Sequence, residues 1–349
     1  MNPDVHTFFT QVAYSSITRW SVSIKLFFTL VLITGSITIS SAQLLQGFKK
    51  TGKFNEQELN MADSLKKITV NINAPLKFKH RRKTYLVLYA LPNGNGIAWT
   101  KGKKPTPGDD WHFDIQQIDA QTRFVRKLDK KNNYIIVYLM ASQKNWPAWK
   151  RTTANASYNI KSFIDSICDM FKVYHPKIVL TGHSGGGSFI FGLLDAVADI
   201  PANIESIAFL DSDYGYEDSL HKNKLARWLH LSSRHKLLVL AYKDSLVVFN
   251  GKPLVSATGG TWYRSRLMQR NLAESFYFNT VSDSALITHI ALEGRIQIIL
   301  KENPNGIILH TEQVARNGFI LSLLFATKFQ KKKYFTYFGN RVYERFLTD

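Results

Sequence analysis

KIVLTGHSGGGSFIFGLL, residues 177–194, is the stretch on which the reading of this chain turns. Residues 177–181 form a short apolar run with β-branched side chains, the pattern of a buried strand. Gly182-His183-Ser184-Gly185-Gly186 follows as G-x-S-x-G, and residues 188–194 open an apolar helix. A sharp turn between strand and helix holds a serine hydroxyl out at the carboxyl end of a sheet, and its glycines let strand and helix approach without a Cβ clash. The glycines also fit G-x-x-x-x-G, but a phosphate-binding loop would place lysine next, and Ser188 stands there.

Working outward, buried strands alternate with amphipathic segments. Upstream, 68–72 alternates like an edge strand, while 85–91 (YLVLYAL) and 134–140 (YIIVYLM) are apolar enough to be buried on both faces. Helical spacing marks 113–128 and 158–173. Downstream, strands are expected at 204–210, 236–242, 296–300 and 307–309, and helices at 261–272, 284–292 and 318–325. Asn250-Gly251 signals a hairpin. Residues 43–61 are polar and show no period, so they read as a lead-in. This alternation predicts a mostly parallel sheet with helices on both faces, and such sheets carry their functional loops at the carboxyl ends of the strands.

With 349 residues, 45% of them hydrophobic, the chain is long enough for one α/β domain with a substantial core. Residues 1–42 read as a cleaved export signal: Arg19 and Lys25 precede the apolar stretch 26–33, and Ser40-Ser41-Ala42 offers a small-residue cleavage site. Residues 43–349 are then a single domain with a basic C-terminal tail. Cys168 is the only cysteine, so no intramolecular disulfide can form, which suits a bacterial periplasm or exterior. The net charge is +19, concentrated in 77–83 and 328–345. Such a surface is attracted to anionic envelope components, but no nucleic-acid-binding module accompanies it.

Through Gly182, Ser184 and Gly186 between a strand and a helix, the chain resembles the α/β-hydrolase superfamily. The resemblance implies an α/β-hydrolase fold and Ser184 as nucleophile, with acid and base following it in the order Ser, Asp or Glu, His. His310 directly follows the apolar 307–309, where the base is expected. His221, His230 and His235 fall in a polar helical region, and His289 falls in the expected helix 284–292. For the acid, Asp244 after the strand 236–242 is favoured, and Asp211 after 204–210 is the alternative. Oxyanion donors are expected at Gly185 and in the loop after 85–91, at Gly94 or alternatively Asn93, because Pro92 has no N–H.

Trp99, Trp111, Trp146 and Trp149 fall in loops, where local packing is expected, and Trp262, Tyr263, Arg264 and Arg266 form a candidate anion contact. No metal-ligand spacing and no dinucleotide fingerprint occurs, so neither metal nor cofactor is expected. These features imply an exported serine hydrolase, with an ester of a small molecule or glycan as substrate. Peptidases and acyltransferases use the same machinery, and a binding protein of this fold without turnover is the alternative from another class.

Overall fold

TYLVLYA, residues 84–90, is threaded between two hydrophobic cores. Leu86, Leu88 and Ala90 belong to one and Val87, Tyr89 and Leu91 to the other. An extended chain turns successive side chains to opposite faces, so a strand apolar at every position must be covered on both. The computed structural model describes residues 44–349 apart from Lys53 and His80. The expected export signal lies outside the described residues.

The strands in chain order are β1 (Lys49–Lys50), β2 (Glu56–Asp63), β3 (Ile68–Pro75), β4 (Thr84–Ala90), β5 (Asn133–Ala141), β6 (Lys177–His183), β7 (Ile204–Leu210), β8 (Lys236–Tyr242), β9 (Val248–Phe249), β10 (Lys252–Pro253), β11 (Asn279–Ser282), β12 (Leu286–Ala291) and β13 (Ile296–Lys301). Eleven of them make one sheet in the order β1-β2-β3-β5-β4-β6-β7-β8-β13-β12-β11, and β9 and β10 form a separate hairpin across Asn250-Gly251. The six strands from β5 to β13 run parallel, and both flanks are antiparallel. Helices Trp146–Thr152, Ala156–Met170, Gly187–Ala196, Asp218–Leu231 and Thr261–Leu272 bury apolar side chains in one core, and Ile118–Leu128 and Gly318–Leu324 in the other. This is the α/β-hydrolase architecture expected from the sequence. Among the described residues, no helix is long and apolar enough to cross a membrane.

Three stretches depart from expectation. Residues 284–292 contain strand β12 in place of a helix. Thr288 and Ile290 alternate with Ile287 and His289, and β11 and β13 pair with both edges, which a helix could not use. Residues 307–309 form no strand. The Asn303 side chain, donating to the carbonyls of Lys243 and Ile307 and accepting from Ile307 N–H, holds them as an extended loop. The lead-in contains β2, paired over eight residues with β3. Its periodicity is hidden because the buried end is charged: Glu56 accepts from Arg123 and Arg126 beneath the sheet edge.

At the carboxyl end of β6 the chain passes from Ser184–Gly186, a single 3-10 turn, into helix Gly187–Ala196. A Cβ on Gly186 would collide with the carbonyl oxygen of Ala90, and one on Gly187 with that of Ser212. Both obstacles are backbone and cannot swing aside. Gly187→Ala is therefore expected to cost about 1–3 kcal/mol by overpacking, measured by urea denaturation, whereas Gly52→Ala, with open space around it, is expected to leave the midpoint nearly unchanged.

Candidate active site

Ser184 follows β6 with φ +54°, the left-handed region that non-glycine residues rarely enter. Holding it there costs about 1–3 kcal/mol, and such strain concentrates at functional positions. Its neighbour His183 is buried, and burial, with the His310 ring beside it, pushes its pKa well below the usual histidine value. The neutral His183 ring donates from Nε2 to the carbonyl of His310 at 3.1 Å, and the two rings lie 4.4 Å apart. His310, on the loop after β13, is thereby packed against the residue adjoining Ser184.

The carboxylate that meets His310 is Asp211. Its Oδ2 lies 2.5 Å from His310 Nδ1, and Asp211 is fully buried while His310 keeps partial exposure. A carboxylate at Nδ1 accepts that nitrogen's proton bond, so the lone pair of the neutral ring stands on Nε2. Asp211 also has positive φ, +50°, at the end of β7, where its N–H donates to the carbonyl of Leu240.

Asp244, the favoured acid in the sequence, is bound differently. Its Oδ2 accepts from Thr261 N–H at 2.8 Å, at the start of helix Thr261–Leu272, and lies 3.3 Å from Thr261 Oγ1. The same hydroxyl donates to Asp211 Oδ1 in a short hydrogen bond. Thr261 thus stands between the two carboxylates. Asp211 faces His310, and Asp244 stands behind it at the helix terminus. The reason is local: Gly260 has no side chain, and a Cβ there would collide with the Asp244 carboxylate. Nothing in the sequence marked Thr261, because a single threonine after two glycines reads as a helix start.

The carboxylates share one buried region. Asp244 is raised to about 6 by burial and then by the charge of Asp211. Burial raises Asp213 well above the carboxylate range, with Asp211 and Asp244 adding to the effect, although Ser265 Oγ donates to it at 2.8 Å. Among the described residues no cluster of His, Cys, Asp or Glu could hold a metal ion.

The expected oxyanion loop divides differently from the preferred reading. Gly94 N–H donates to the carbonyl of Lys144 at 2.8 Å and so is committed to the turn that follows β5. Asn93, the alternative, has its side chain against Gly185, where a Cβ would overlap it. Gly185, Asn93 and Ser184 line one cleft of about 470 Å³, within the size range of small-molecule sites. Trp146 and Trp149 are core residues, and Trp99 and Trp111 stack on His112. Trp262, Tyr263 and Arg266 line a separate cavity beside Asp244. His221, passed over in the sequence as part of a polar helix, is buried at the cleft wall.

No family model matches the chain, and no curated protein matches it. Solved structures similar in chain path include a thermostable esterase (13% identity, TM-score 0.46), with 80% of this chain and 64% of that one covered. A poly(3-hydroxybutyrate) depolymerase from Bordetella parapertussis (15%, TM-score 0.43; 78% and 89% covered) and a feruloyl esterase module from Clostridium thermocellum (8%, TM-score 0.46; 80% and 93% covered) are also similar. The chain spans about two-thirds of the thermostable esterase's length. Likeness this remote transfers no substrate and no residue role.

Burial keeps the Asp244 carboxyl protonated in the folded protein to a higher pH than in the unfolded chain. The folded carboxyl, at about 6 against an ordinary 3.8, holds a proton that the unfolded chain releases, so its contribution is greatest below the unfolded value and is lost as pH rises towards 6. Relative to Asp244→Asn, the wild-type protein should lose stability between pH 4 and 6. Urea midpoints of both proteins across that range measure the difference, and parallel curves would refute the assignment.

Proposed function

We propose that this protein is an exported serine hydrolase that cleaves carboxylic esters through an acyl-enzyme, with Ser184 as nucleophile, His310 as base and Asp211 as acid. The observation that carries the reading is the hydrogen bond from His310 Nδ1 to buried Asp211, formed beside a serine held at positive φ. A serine hydroxyl is a weak nucleophile until a neighbouring base takes its proton. His310 Nε2 takes it as Ser184 Oγ bonds to the ester carbonyl carbon. The imidazolium that forms is stabilised by Asp211, whose other oxygen is held by Thr261.

The developing oxyanion falls to Gly185 N–H and to Asn93, through its main-chain or side-chain amide. Collapse of the tetrahedral intermediate breaks the bond to the leaving oxygen, which takes its proton from His310. Water then repeats the sequence against the acyl-enzyme, releasing the acid and restoring Ser184. Export rests on the sequence of residues 1–42, and the basic surface suits a protein that works near anionic envelope material.

A fluorophosphonate should label the wild-type protein and leave Ser184→Ala unlabelled. p-Nitrophenyl butyrate should be turned over by the first and not by the second. Absence of labelling in folded protein would favour the binding reading. Asp211→Asn should lower kcat by about 10³–10⁴-fold, as loss of a triad acid does, and Asp244→Asn much less. Thr261→Val should lower kcat by about tenfold or more, the worth of a hydrogen bond to a charged group, with Thr261→Ser restoring it.

A further inference from the structure

The cleft over Ser184 has a direction, and its distal end is chemically distinct. It touches Ser184, Gly185 and Asn93, while His310 does not line it. In the reaction above the leaving oxygen must lie within reach of His310 to receive its proton. The alcohol part of the ester is therefore on the His310 side, and the cleft on the other side of Ser184 receives the acyl part.

Walls of the cleft are apolar where they pass Phe191, Leu220 and Pro147. Its end is ionic. Asp195, the penultimate residue of helix Gly187–Ala196, lies eight residues beyond Gly187, about 12 Å at 1.5 Å per residue. Both Asp195 oxygens are engaged: Oδ2 with Lys150 Nζ at 2.5 Å, and Oδ1 with His221 Nε2 at 3.0 Å. His221 is fixed from its other side, because Nδ1 accepts from Glu217 N–H at 2.9 Å. Although burial opposes it, the bonds from His221 and Lys150 bring Asp195 down to about 2, so this end stays charged at working pH. Lys150 has two further N–H bonds beyond the one to Asp195, and Glu217 lines the same end.

We propose that this cleft is an acyl pocket for a hydroxyacyl group, its distal hydroxyl accepting from Lys150 and donating to Asp195 or Glu217. The inference rests on the hydrolase reading above. A plain alkyl tip would strip water from a charged pair and return no hydrogen bond. A carboxylate tip would meet two carboxylates against one ammonium. A hydroxyl is both donor and acceptor and satisfies both sides. The axial rise of about 12 Å from Gly187 to Asp195 corresponds to roughly ten bonds of extended chain, at about 3.6 Å per three bonds, and sets the length of the aliphatic probe. A long aliphatic ω-hydroxyl and a phenolic hydroxyl share this chemistry and differ in reach.

The test compares kcat/KM for p-nitrophenyl esters of decanoate against 10-hydroxydecanoate, and of 3-phenylpropanoate against 3-(4-hydroxyphenyl)propanoate. In the wild-type protein the hydroxyl should raise kcat/KM by about tenfold or more in at least one pair, and the pair that responds identifies the aliphatic or the phenolic acyl group. One properly placed hydrogen bond to a charged partner accounts for that factor. The ratio should fall towards one in Lys150→Met and in Asp195→Asn, and Lys150→Arg should recover part of it. Ratios near one in the wild-type protein, or ratios unchanged in Lys150→Met, would overturn the proposal. Binding of methyl 10-hydroxydecanoate and methyl decanoate to Ser184→Ala by calorimetry reads the pocket apart from turnover. Tighter binding of the hydroxy ester that is lost on adding Lys150→Met would uphold the pocket even if no ester were hydrolysed. Equal affinities would sink it.

Discussion

Backbone crossing backbone is the constraint on which the site depends. The turn after β6 passes so close to the ends of β4 and β7 that side chains at Gly186 and Gly187 would overlap the carbonyls of Ala90 and Ser212. Parallel strands set side by side bring their carboxyl ends to one edge, in register from Ala90 to Gly182 and from His183 to Leu210. The glycines convert that edge into a point. Ser212 Oγ closes it by donating to the Gly182 carbonyl at 3.0 Å, leaving Ser184 at the apex and Asp211 one residue before the closing contact.

The second constraint is charge without water. Asp211, Asp213 and Asp244 are all buried near one another, and such a group cannot hold three full charges at low cost. The structure answers with unequal environments. Asp211 faces a histidine and a threonine hydroxyl. The Asp244 carboxylate accepts from Thr261 N–H at a helix start and is raised to about 6, while Asp213 is pushed well above the carboxylate range and held by Ser265.

At the other end of the cleft Lys150, Asp195 and His221 bond one another, with His221 buried and the Lys150–Asp195 pair open to solvent. The three come from separate helices. Only Asp195 is on the helix that follows the serine, and that helix sets its distance from Ser184.

The chain by itself determined the central strands, because the unbroken runs of Val, Ile, Leu and Tyr at 85–89 of β4 and 134–139 of β5 can be buried only in a sheet covered twice. It also determined the serine turn, because only a run of glycines tolerates those approaches, but it placed His310 at the end of a strand at 307–309 that the structure does not form; His310 stands on the loop after β13. It could not reveal β2, whose buried end is an ion pair with residues near 123, or β12, whose alternation was weaker than its resemblance to a helix. Its preferences for Asp244 over Asp211 and for Gly94 over Asn93 had no contact to rest on. Both aspartates end parallel strands and look alike as text. The tertiary structure separates them: it sets His310 against Asp211 and Thr261 N–H against Asp244, and it commits Gly94 N–H to Lys144. Hydrogen-bond partners distant along the chain are settled by packing, and local pattern has no access to them.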